Sequence, residues 1–147
     1  MALLVAHLVS SAVMTGLIWF VQVVHYPLFA LVGGEQSVAY ALQHQRRTSF
    51  VVGAPMAVEG VTAMAIVAFA PEGVSRWWGV TGLVLLGLVL GSTVMLQVPD
   101  HARLAKAYDE AVVRHLVRSN WIRTVGWTLR CALAAGLVIW AATSGRG

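Results

Sequence analysis

Apolar residues run almost unbroken through four stretches of this chain, residues 2–31, 49–70, 77–98 and 122–142, and the polar residues collect between them. Each stretch approaches or exceeds the ~20 residues with which a helix crosses a bilayer. The pattern predicts an all-α polytopic membrane protein: one transmembrane domain over residues 1–147, four helices in a bundle, with amphipathic interfacial segments between them. The first stretch starts at the second residue and lacks both the basic flank and the small-residue cleavage site of a secretory signal. It also carries Gln22 and His25, so it is read as a retained helix.

The connections are unequal. Residues 34–48 have helical composition and close with Arg46-Arg47, which predicts a segment lying along the interface or extending helix two. Pro71 marks the end of helix two. A short link from Glu72 to Arg76 then runs into the interfacial aromatic anchor Trp77-Trp78. In residues 100–120, Leu104, Tyr108, Val112 and Leu116 form a stripe at helical spacing, which predicts an amphipathic helix on the membrane surface.

Composition agrees with the pattern: 59% of the residues are hydrophobic and 11% charged, too few charges to cover a soluble domain of this length. Their distribution sets an orientation. Arg46, Arg47, Arg103, Lys106, Arg114, Arg118 and Arg123 fall on one side and only Arg76 and Arg146 on the other, so the basic side is expected to be cytoplasmic, as in a bacterial-type inner membrane, with both termini outside. The net charge of +4 is thus a topology signal, and nucleic acid is not an expected partner, because no basic stripe is interleaved with exposed aromatics. The lone Cys131 excludes an internal disulfide and a Cys-rich metal cage. Gly79, Gly82, Gly87 and Gly91 lie within an apolar span with no lysine near, so no phosphate loop is present. The Gly87-to-Gly91 spacing reads as a small-residue surface for close helix packing.

Depth along the helices organises the rest. Glu59 lies ten residues after position 49, roughly 15 Å in at ~1.5 Å per residue, and Arg130 eight residues after position 122, about 12 Å in. Neither charge is tolerable alone in hydrocarbon, which predicts an ion pair between helices two and four. Pro55, one turn before Glu59, frees a carbonyl of helix two; the position fits either a kinked, cavity-lining helix or a packing kink. Thr93, Gln97 and His101 share one face of helix three, and Asn120, Arg123, Trp127 and Arg130 one face of helix four. With Gln22, His25, His44, Thr48 and Glu59 they outline a polar funnel open at the cytoplasmic face. His7, on the other side, reads as a lone interfacial histidine, and His115 has no assigned role.

Three chemistries fit such a funnel. His25, His44, Glu59 and His101 are candidate ligands for a transition metal ion, although they come from separate segments and form no compact motif. A bis-histidine haem fits less well, because helices two to four place no histidine within the hydrocarbon opposite one on helix one. Without a metal, His25 or His101 is the candidate base, with Arg123 and Arg130 as anion partners. Gln22, Gln97, Asn120 and Trp127 are the candidate substrate-binding residues, for an apolar or amphipathic small molecule.

The run Gln97-Val98-Pro99-Asp100-His101, followed by an amphipathic stretch and Asn120-Trp121, Trp127 and Arg130, resembles the small four-helix membrane proteins related to anthrone oxygenases. The likeness spans the C-terminal half best, and around the proline this chain has Gln97 and His101 where asparagine is expected. The resemblance implies a membrane oxidoreductase that inserts oxygen into polycyclic phenols without bound haem or flavin. Two alternatives stand beside it. A homo-oligomeric proton- or ion-coupled transporter would use an unpaired Glu59 in a cavity between subunits, and an assembly subunit of a larger complex would leave the funnel closed by its own hydrogen bonds.

Overall fold

A computed structural model describes residues 1–32, 34–70 and 74–144, the side chain of Ser144 excepted. Pro71, Glu72 and Arg146, assigned above to a helix end, a connection and the outer side, lie outside the described residues. Four helices account for nearly all of them, each long and apolar enough to cross a membrane, and no strand occurs among the described residues. They are α1 (Ala2–Leu31), α2 (Gly34–Ala68), α3 (Arg76–Leu104) and α4 (Glu110–Ser144). Around the bundle α1 packs on α2 and α4, and α3 packs on the same two, so α1 and α3 stand diagonally. The large apolar side chains left outside, among them Phe50, Val61, Met64, Val84, Leu88 and Ile139, face the bilayer.

Two helices change pitch at matching places. In α1 a π-turn, Val21–His25, precedes Pro27; in α3 another, Thr93–Gln97, precedes Pro99. A proline has no N–H to offer the carbonyl four residues back and its ring crowds that carbonyl, here Val23 and Met95. Both carbonyls lie inside the widened turn, which absorbs the conflict and lets the helix continue. Pro99 therefore does not end α3, as the sequence pattern suggested; the helix runs on through Leu104.

Residues 34–48 take the second of their two expected forms and extend α2. The main correction is residues 100–120, which are not a surface helix: they form the last turn of α3, a short link, and the start of α4. Asp109 caps that start, its Oδ1 accepting from the N–H groups of Ala111 at 2.8 Å and Val112 at 3.3 Å. Leu104, Val112, Val113 and Leu116 turn inward on Tyr26, Phe29 and Ala41. A four-residue apolar spacing is the same whether its helix lies on a membrane or stands in a bundle, so the stripe alone could not separate the two.

Both α2 and α4 are 35 residues long, about 52 Å at ~1.5 Å per residue. The hydrocarbon layer is ~30 Å thick, so these helices overhang it, and residues 34–48 and 110–121 place that overhang on the basic side. Tight packing in the bundle falls on Gly79 and Gly126. A Cβ on Gly79 would stand 2.7 Å from Val67 Cγ2, and one on Gly126 would collide with the Val89 side chain. A Cβ on Gly87 or Gly91 would meet nothing within 4 Å among the described residues, so the small-residue surface predicted for them packs against none of the helices described.

Candidate functional site

The polar residues divide into a closed node and an open cavity. Glu59, wholly buried, is the centre of the node. Its Oε1 accepts from Arg130 Nε at 2.8 Å and from Ser11 Oγ at 2.7 Å, and its Oε2 from Trp127 Nε1 at 2.9 Å. Arg130 also donates from Nη1 to the Gly82 carbonyl, which ties α2, α3 and α4 together. The Glu59–Arg130 pair predicted from depth is thus present. His7 is not a lone interfacial histidine: it is buried, and its Nδ1 is 2.8 Å from Thr62 Oγ1, one turn past Glu59. Pro55 lies apart from all of this, on an apolar outer groove with Val5, Val9, Val13 and Val58.

Nearer the basic side, the π-turns place two amides in the core. Gln22 donates to the Val117 carbonyl at 3.1 Å and accepts from Asn120 Nδ2 at 2.9 Å. Gln97 accepts from Ser92 Oγ at 3.1 Å and donates to Ser119 Oγ at 3.0 Å. Ser92 and Gln97 are five residues apart, a spacing that faces different ways in an α-helix and the same way across a π-turn. Of the four predicted substrate-binding residues, Gln22, Asn120 and Trp127 are committed to internal bonds. Gln97 borders a cavity, but both ends of its amide are already engaged.

The cavity, about 320 Å³, is formed by Tyr26 of α1, His44, Thr48, Ser49 and Val52 of α2, Thr93, Gln97, Val98 and His101 of α3, and Arg123 of α4. Three imidazoles stand beside it: ring centroids of His25 and His44 are 4.5 Å apart, and those of His44 and His101 4.9 Å. His25 Nε2 is 2.6 Å from His44 Nδ1, which also lies 3.1 Å from Thr48 Oγ1. His101 Nε2 is 3.0 Å from the Tyr26 hydroxyl, and its Nδ1 is buried with no partner. Gln45 Nε2 donates to the His101 carbonyl at 2.8 Å, joining α2 to α3 at this end. Beyond His44 and Thr48 lies a second cavity of about 600 Å³, lined by His25, Gln36, Tyr40 and Arg47 among others.

Arg123 is the unusual member. It is 9% exposed, its guanidinium carbon lies 5.4 Å from the centre of the Trp127 ring, and its Nη1 donates to Asn120 Oδ1 at 3.2 Å. Its Nε has no hydrogen-bond partner, and among the described residues no carboxylate pairs with it. Asp100, the buried acid nearest in sequence to the site, is held at 2.6 Å by His115, which gives that histidine a structural role.

Of the four predicted metal ligands, the three histidines stand together and Glu59 lies apart from them. Glu59 is occupied by three donors, His25 and His44 point nitrogens at each other, and His101 turns Nε2 to Tyr26. Among the described residues no group of three or more His, Cys, Asp or Glu is arranged to hold a metal ion. Of the four candidate catalytic residues, His101 and Arg123 line the 320 Å³ cavity, His25 lines only the second cavity, and Arg130 belongs to the closed node. Tyr26 was missed in the sequence. Its position beside Pro27, one residue after His25, was the available signal. Protein-family models, curated proteins and solved structures were all compared with this chain, and none matches it.

Proposed function

We propose that this protein is a membrane-embedded small-molecule binding bundle with an enzyme-like site, whose cavity takes an amphipathic ligand bearing an anionic or anion-forming oxygen. The observation that carries the reading is Arg123: a buried guanidinium without a carboxylate, on the wall of a cavity, is a cation waiting for an anion. Beside it His101, in contact with the Tyr26 hydroxyl, is placed to exchange a proton with the ligand, while Arg123 holds the negative charge that results. No step in this reading passes through a metal. The likeness to anthrone oxygenases supplies a finer version, in which the ligand is a polycyclic phenol and dioxygen attacks its deprotonated ring. The basic side is then cytoplasmic and both termini are outside.

The geometry favours this over the two alternatives. A transporter that carries protons on Glu59 needs that carboxylate free, and here three donors hold it. An assembly subunit needs its polar interior closed, whereas an open cavity remains beside the closed node.

The test is a titration of purified protein with 4-nitrophenol, whose phenolate absorbs in the visible, at a pH where the free phenol is mostly protonated. Bound probe is expected as phenolate, and Arg123→Gln is expected to weaken it tenfold or more, since a hydrogen bond to a charged group contributes about 1.5–3 kcal/mol. Equal phenolate binding by Arg123→Gln, or stoichiometric bound transition metal by elemental analysis, would contradict the reading.

A further inference from the structure

The cavity opens sideways. Its rim on α3 is Val98, which lines the cavity and is also 54% exposed, and its rim on α2 is Ser49, likewise exposed. The neighbours of these two on the outer surface are Phe50 on α2 and Val94 and Met95 on α3, apolar side chains 88%, 66% and 76% exposed. In a membrane helix such residues face acyl chains, so the gap between α2 and α3 at this level looks onto lipid. Toward the basic end the same two helices are bridged by the bond from Gln45 to the His101 carbonyl. At the far end α2 and α3 close again where Gly79 meets Ile66 and Val67. The opening therefore lies between two contacts and beside the bilayer.

Position 49 is also where the apolar run of α2 begins, after the polar overhang of residues 34–48. This puts the rim at the boundary between headgroups and hydrocarbon, where amphiphiles with one ionisable group reside. The interior offers both parts of such a molecule a partner: Val52 and Val98 are apolar walls, and two residues of the same lining carry buried polar atoms without partners, Arg123 Nε and His101 Nδ1. One guanidinium without a carboxylate matches one negative charge. A second charge on the ligand would find no second unpaired cation lining the cavity.

Resting on the anion-binding reading above, we infer that the ligand is a bilayer-dissolved weak acid, an apolar body with a single ionisable oxygen group, and that it reaches Arg123 laterally between α2 and α3 past Val98 and Ser49. A water-soluble dianion of the same size is excluded, because the opening faces lipid and the cavity supplies one cation.

The experiment uses the full chain in nanodiscs with two probes on one ring system, 2-naphthoate and 2,6-naphthalenedicarboxylate. Expected is saturable binding of the monoanion, at least tenfold weaker binding of the dianion, and association of the monoanion slowed tenfold or more in Val98→Trp but not in Phe50→Trp. Equal binding of both probes, or an unchanged rate in Val98→Trp, would overturn the inference. Loss of the Arg123→Gln effect on 4-nitrophenol would instead overturn the reading beneath it. A second measurement needs no ligand: a spin label at Val98→Cys in a Cys131→Ser background is expected to collide with oxygen dissolved in lipid more than with a water-soluble nickel chelate. The opposite order would place the rim in water and overturn the lateral route.

Discussion

Glu59 and Arg123 are both single charges set in apolar helix, and their partners give them opposite meanings. Glu59 is engaged on both oxygens by Arg130, Trp127 and Ser11, so it holds the bundle together and is not a free carboxylate. Breaking a buried pair leaves the other charge uncompensated, at a cost of about 3–5 kcal/mol. Glu59→Ala is therefore expected to lower stability in detergent by that order, read from thermal or SDS-driven unfolding, whereas Glu59→Leu combined with Arg130→Met should cost less than Glu59→Ala alone. A double variant less stable than the single one would show that the pair does not act as a unit. The sequence exposed Glu59 and Arg130 because depth can be counted along a helix. It did not separate Arg130 from Arg123, since the difference lies in whether an acid stands opposite, and Asp100, the buried acid next to His101 of the cavity, is turned to His115.

At the scale of elements, the number of helices and their membrane segments were legible, because an apolar run of about 20 residues has few other uses. Their full lengths were not. A change from apolar to polar composition marks where a helix leaves the lipid, and α2 and α4 continue past that point as helix. The π-turns were hidden as well. The third apolar stretch was ended at residue 98, just before Pro99, yet in both α1 and α3 a local widening lets the chain keep its course past the proline and brings Gln22 and Gln97 into the core. Contact between α3 and α4 gives a sharp check. Gly126→Ala is expected to destabilise by about 1–3 kcal/mol, as overpacking does, because the new methyl meets the stiff side chain of Val89. In a Val89→Ala background the same substitution should cost little. An equal cost in both backgrounds would place the strain elsewhere.

At the scale of the molecule, a square bundle with overhanging α2 and α4 separates two jobs that the sequence had merged into one funnel. The half away from the basic side is cross-linked by buried polar bonds around Glu59. The basic half keeps a cavity in which Arg123, His101, His44 and Tyr26 converge from all four helices. The sequence had grouped His44, His101 and Arg123 in one funnel; Tyr26 could not be read from the chain, because the face it presents depends on the π-turn just before it. Whether Arg123 receives an anion decides the proposed function, and the most direct observation is the Nε–H resonance of Arg123 in protein labelled with ¹⁵N-arginine, assigned by its disappearance in Arg123→Gln. On addition of 4-nitrophenol this resonance is predicted to move downfield and to become protected from exchange with water. A resonance that stays in place while the probe binds would show that the anion sits elsewhere.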